Sequence, residues 1–140
     1  MTAELEALKA MWLDLREHVD QLAGERQQYQ DFFEQASAAY VITDDYGTIA
    51  DANGAAVDVL QCRKRYLRGK PLTALMALEK RSEFRQRLRA LRERAPQAER
   101  SWRTIFVAPE LRIEVALTAR LIERPDGPPG GICWRLEALA

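Results

Sequence analysis

One histidine, two cysteines and a pair of adjacent aspartates are the residues of this chain best suited to chemistry, and their spacing argues against most of it. His18 stands alone, so the chain lacks the Cys/His set that holds a zinc ion. Cys62 and Cys133 lie far apart, with neither the Cys-x-x-Cys spacing of a redox pair nor an export signal before them. They read as the reduced thiols of a cytoplasmic protein. Asp44 and Asp45 could share a proton as an acid/base pair. Followed by Tyr46-Gly47, however, they sit in a turn, where short acidic side chains bond to the backbone instead. No Gly-x-Ser-x-Gly elbow and no phosphate-binding glycine loop occurs. The chain therefore reads as not an enzyme.

Charge is the second chemical resource. The 140 residues carry 21 basic and 21 acidic side chains, but unevenly. Residues 1–62 hold 12 acids against Lys9, Arg16 and Arg26, a net of −9, and residues 63–94 hold 12 bases against three glutamates, a net of +9. Within the basic block, Arg81, Arg85, Arg89 and Arg92 recur at helical spacing and form either a solvated face or a docking stripe for an acidic partner. Nucleic acid is not the expected partner. The block offers no aromatic for base stacking beyond Tyr66 and Phe84.

The elements that position these groups follow from periodicity. Hydrophobic residues make up 47% of the chain, enough for one core, while the longest apolar runs are too short to cross a bilayer. Leu5, Leu8, Trp12, Leu15, Val19 and Leu22 are spaced 3, 4, 3, 4 and 3, the seam of a coiled coil. The same register reaches Arg26, then Tyr29 and Phe33. A stripe two residues wide in seven suits a partner helix better than a globular core. Residues 1–33 are therefore expected to be a dimerisation helix, making the chain a homodimer, and residues 34–140 a separate domain.

Beyond residue 37 the period changes to two. Ala39–Thr43 and Thr48–Ala52 read as a hairpin joined by Asp44-Asp45-Tyr46-Gly47, and Asn53 as the N-cap of a helix over 54–60. Short helical turns broken by Gly69 and Pro71 precede a longer helix from Leu78 to Arg94, with Phe84, Leu88 and Leu91 on its apolar stripe. Three strands follow: Ser101–Val107, a longer one alternating through Ile113, Val115, Leu117, Ala119 and Leu121, and a last one with Ile132, Trp134 and Leu136. Ala108-Pro109-Glu110 turns between the first two, and Arg124–Gly131 is a loop before the last. The expected fold is α+β: a five-stranded antiparallel sheet with helices on one face, preceded by a long amphipathic helix.

Four short motifs in order resemble the PAS domain over roughly residues 30–139. Asp44-Asp45-Tyr46-Gly47-Thr48-Ile49 is similar to its Asp-x-x-Gly-x-Ile hairpin. Asn53-Gly54-Ala55-Ala56 is similar to its Asn-x-x-Ala helix start, and Leu67-Arg68-Gly69-Lys70-Pro71-Leu72 to its Leu-x-Gly-x-x-Leu step. Before them, Phe32–Asp44 looks like its opening helix and first strand. At the end, Trp134-Arg135-Leu136-Glu137-Ala138 stands where the family often has Asp-Ile-Thr.

The resemblance implies a non-enzymatic signalling module, cup-shaped around a small pocket, that relays the state of a small molecule or a partner protein to an output. Its alternative is an interaction adaptor with a filled core. Photosensory relatives attach flavin through a cysteine in a Gly-x-x-Cys motif, and aligning Gly69-Lys70-Pro71-Leu72 puts Leu72 at that position. Covalent flavin is therefore not expected, nor is His-ligated haem, since His18 lies outside the domain. No cofactor or metal is expected, though a non-covalent apolar or weakly polar molecule fits. Its expected liners are Leu72, Met76, Phe84, Leu88, Ile105 and Trp134.

Overall fold

The computed structural model describes residues 2–109, 111–122 and 130–139, and of Tyr29 the backbone alone. Three expectations touch residues outside this set: the side chain of Tyr29 in the helical seam, Glu110 in the turn at 108–110, and the 124–131 loop up to residue 129. The chain divides into two compact units, 1–33 and 34–140.

The first unit is almost all of helix α1, Thr2–Gln35. Gly24 does not interrupt it. Leu5, Leu8, Trp12, Leu15, Val19 and Leu22 are all more than half exposed, and the Arg16 guanidinium lies 5.5 Å from the centre of the Trp12 ring. Phe33 is half-buried.

The second unit is built on five strands, β1 (Ala39–Thr43), β2 (Ile49–Ala52), β3 (Ser101–Ala108), β4 (Leu111–Leu121) and β5 (Ile132–Ala138). They pair antiparallel in the order β2-β1-β5-β4-β3. The period-two pattern sorts their side chains. Val41, Thr43, Trp102, Phe106, Val115, Leu117, Trp134 and Leu136 are buried on one face, while Arg103, Glu114, Arg135 and Glu137 project from the other. In β2 both Ile49 and Ala52 are buried, although an odd spacing should send them to opposite faces. A register shift between Ile42 and Thr43 resolves this, as Ile42 faces Asp51 while Thr43 faces Ile49, leaving Ala50 as the extra residue of a bulge.

Between β2 and β3 run α2 (Gly54–Leu60), α3 (Lys64–Leu67), a 3₁₀ turn (Leu72–Leu75) and α4 (Leu78–Arg92). Helix α4 buries Phe84, Leu88 and Leu91, the stripe its sequence marks out. The two outer strands are partly covered along their free edges. Ile49 exchanges backbone hydrogen bonds with Gly69 and Lys70 at 2.8 Å, and Ala77 N donates to Ile105 O at 2.9 Å.

Asn53 does more than cap α2. Its side chain is fully buried, and its Oδ1 accepts from both Ala56 N and Tyr40 N at 3.0 Å while Nδ2 donates to Ala38 O at 2.8 Å. One amide thus joins the entry to β1 and the first turn of α2. Nearby, Lys64 pairs with Asp51 at 2.9 Å and with Glu34. Burial acts to lower the Lys64 ammonium, but these carboxylates outweigh it and hold its pKa above the ordinary value.

At the β1–β2 turn, Asp44 Oδ1 accepts from Tyr46 N and Thr48 N, both at 2.9 Å. Gly47 adopts φ +85°, the left-handed conformation expected of the turn glycine. Across the sheet, the buried Trp134 indole Nε1 donates to Thr43 Oγ1 at 2.9 Å.

Two stability predictions follow from these bonds. Asn53→Ala strands a buried carbonyl and two amides, so it should lose about 1–3 kcal/mol, at or above the ~1 kcal/mol of an ordinary cap. Urea denaturation reads this directly, and a midpoint equal to wild type would refute the triple role. Thr43→Val keeps the side-chain shape but leaves the Trp134 N–H without an acceptor. It should cost about 1–3 kcal/mol, whereas Thr43→Ser, which keeps the oxygen, should cost clearly less in the same titration.

Candidate functional site

Helix α4 reaches the sheet through aromatic side chains. The Phe84 ring centre lies 5.3 Å from that of Trp134 and 6.2 Å from that of Trp102, and the two indoles meet edge-on at 5.7 Å. Tilted and edge-to-face contacts of this kind are favourable ring geometries. The trio occupies the space between α4 and the centre of the sheet. Of the six expected pocket liners, Leu72, Met76, Phe84 and Trp134 are fully buried.

Ile105 needs correction. Strand β3 buries Trp102, Thr104 and Phe106, and Ile105 is out of phase with them, paired with Glu114 on the opposite face of the sheet. The β3 apolar residue that belongs inside is Phe106, 1% exposed and paired with Ile113. Ser101, Arg103, Ile105 and Val107 share the outer face, and the two apolar members of that set made it resemble a buried one.

Leu72, Phe84 and Leu88 also meet at the floor of a cleft of about 340 Å³ that opens beside the β1–β2 turn. Tyr46 and Gly47 form one wall, Thr73 of the 3₁₀ turn another, and Arg85, Arg89 and Arg92 of α4 the third. The walls are tied together by backbone, with Leu72 N donating to Gly47 O at 2.8 Å. Glycine at position 47 lets the turn lie close against the helix, because an added Cβ would stand 3.2 Å from Leu88 Cδ2. Tyr46 is 71% exposed, and the Arg92 guanidinium stacks 4.5 Å from its ring centre.

The arginine stripe is thus divided. Arg81 turns back to its own helix start, where Nε donates to Met76 O at 3.2 Å. Arg89 pairs with Glu93 at 3.0 Å on an open surface. Among the described residues, neither Arg85 nor Arg92 pairs with a carboxylate. Sequence periodicity brings the arginines into one stripe, but the residues that turn the stripe into a cleft, Tyr46, Gly47 and Thr73, come from other elements. Only the Gly47 turn signal hinted at a close approach.

The other reactive groups are placed quietly. His18 is exposed on α1, and Phe84, one of the two aromatics of the basic block, is buried and unavailable for stacking. Cys62 packs at the edge of the core. Burial pushes the Cys133 thiol up in pKa against a smaller opposing pull from Arg120, which keeps it protonated and a poor nucleophile at neutral pH.

A comparison with protein-family models matches the PAS fold over residues 27–138. No curated protein matches the chain by sequence. Among solved structures, the chain is similar to the PAS domain, in complex with ethanol, of a LuxR-family transcriptional regulator from Burkholderia thailandensis. The two are 19% identical with a TM-score of 0.63, over 79% of this chain and 96% of that one. It is similar to a PAS domain from a two-component sensor histidine kinase, at 13% identity and TM-score 0.62 over 86% and 99% of the two chains. The E. coli DhaR(N)-DhaL complex also matches, at 15% identity and TM-score 0.61 over 89% of this chain and 40% of that one. Likeness at these identities shows the fold. The family match, the strand order and the helices between β2 and β3 together show that the chain belongs to the PAS family, whose domains serve as sensor and signalling modules in kinases and regulators.

Proposed function

We propose that the chain is a non-enzymatic PAS signalling module of the cytoplasm that homodimerises through residues 1–33 and relays the state of a small molecule or partner protein. The observation that carries this reading is the seam on α1. Six apolar side chains at alternating spacings of three and four are more than half exposed on a helix of 34 residues, beside Met11 and Leu13, which are also exposed. A continuous apolar stripe of this length is what a second helix covers in a coiled coil. Phe33 continues the register at the base of the stripe, with Tyr29 one step before it. Among the described residues, no helix is long and apolar enough to cross a membrane. Similar structures include a PAS domain with a small molecule, ethanol, and a complex with a partner protein, which supports both kinds of input.

The packing of Phe84, Trp102 and Trp134 favours a second reading, an interaction adaptor whose interior is filled and which takes no ligand there. Native mass spectrometry of the purified protein separates the two, since a retained small molecule adds mass to the dimer.

Replacing Leu8 and Leu15 with aspartate places charges in the seam, where burial of each costs several kcal/mol when unpaired. Light scattering should then report a monomer with an unchanged PAS unit by circular dichroism. A double variant that remains dimeric would show that the interface lies elsewhere.

A further inference from the structure

The cleft between the β1–β2 turn and α4 combines two chemistries, an apolar floor and a cationic rim. Its floor is made by Leu72, Phe84 and Leu88, which are 0%, 1% and 5% exposed as residues, so the bottom of the cleft is apolar but narrow. Along one rim stand Arg85, Arg89 and Arg92, at spacings of four and three that place them on one side of the helix. At about 340 Å³ the cleft is of the size that accepts a small organic molecule.

The rim is charged and incompletely neutralised. Arg89 shares Glu93, an exposed i,i+4 pair that contributes little and can be exchanged for a better anion. Arg85 and Arg92 have no carboxylate among the described residues. Arg92 is nonetheless held in place, because its guanidinium stacks on Tyr46 and Asp44 braces the turn that carries Tyr46. A guanidinium lying over an aromatic ring keeps N–H donors that a ligand can use.

We propose that this cleft binds a small amphipathic carboxylate, with the carboxylate on Arg85 and Arg92 and the apolar body on Leu72, Phe84 and Leu88. Charge complementarity selects the head group, since guanidinium forks match a carboxylate bidentately. The floor selects against a bare inorganic anion, which gains nothing from apolar contact. Such a ligand bridges α4 and the β1–β2 turn, two elements otherwise joined here by side-chain packing. The site adjoins the space between α4 and the sheet, which Phe84, Trp102 and Trp134 fill, and shares only Phe84 with it. It deepens the signalling reading by naming a ligand class, but its test does not depend on the oligomeric state.

The experiment is isothermal titration of the full chain with octanoate, octanol and acetate, together with backbone amide shifts by NMR. Octanoate should bind saturably, and octanol, which lacks the charge, and acetate, which lacks the body, should each bind about tenfold more weakly or worse. Shifts should centre on Tyr46, Gly47, Thr73 and the Arg85–Arg92 turns of α4. R85Q and R92Q, both at exposed positions, should each weaken octanoate about tenfold, R85Q at unchanged thermal stability and R92Q with the small loss expected of its contact with Tyr46. Equal binding of octanol and octanoate, insensitivity to both substitutions, or shifts centred on Trp102 and Trp134 would overturn the proposal. Absence of any saturable binding would also overturn it and leave the arginines to an acidic protein surface. Light scattering on the same samples reads dimerisation independently, so failure of one reading is distinguishable from failure of the other.

Discussion

The contact of Phe84 with Trp134 and Trp102 sets the spacing between α4 and the sheet, and most of the second unit follows from it. An aromatic trio buries far more surface than three aliphatic residues, so it fixes which face of α4 points inward. Once Phe84, Leu88 and Leu91 are committed to the interior, the arginines between them must lie toward solvent. The charged rim beside the β1–β2 turn is therefore a consequence of core packing, not a separate feature. Trp134 is in turn oriented by Thr43, and Thr43 stands at the bulge that brings both Ile49 and Ala52 inward. Helix, turn and sheet are positioned by one chain of contacts.

Polar groups inside this unit are few and fully employed. Among the described residues, the buried side-chain nitrogens and oxygens all have partners. Asn53 is the clearest case, with two accepted bonds and one donated bond serving segments on either side of it. A group of this kind specifies as well as stabilises, because a slip in register of β1 against α2 would leave three polar atoms stranded. The charges that remain lie outside, where Lys64 with Asp51 and Glu34, and Arg87 with Glu83 and Glu99, tie neighbouring segments. Pairs that exposed hold orientation more than they add stability.

Much of this architecture was legible because local signals were unambiguous. The seam from Leu5 to Leu22, the Asn53 cap, the Gly47 turn and the Phe84–Leu91 stripe each rest on spacing within one element, and the helices and strands fall where those patterns place them. Ile105 shows the limit. Alternation in β3 fits either phase, and Trp102, an odd three residues from Ile105, fixes the phase in favour of Phe106. The cleft was less legible still. Its arginines stood out as a stripe, but a cleft requires that Tyr46 and Thr73 approach α4, and that approach is a tertiary result of the aromatic packing. Met76, Phe84 and Trp134 are all buried, as their places in the periodic patterns predict, but burial alone does not distinguish a wall from a plug.

The covered edges of the sheet bear on how such a unit behaves at high concentration. Exposed outer strands are templates on which an incoming chain can extend the sheet, and open-ended growth of that kind leads to fibres. Here the segment 69–71 lies along β2 and the residues at Met76–Ala77 lie along β3, so part of the backbone that would recruit another strand is already engaged within the chain. Both covers come from the stretch that links α3 to α4. A single connection thus blunts the sheet on both sides, and unfolding it locally would expose two sticky borders at once. In that stretch, a destabilising substitution would shorten solution lifetime more than its effect on equilibrium stability would indicate.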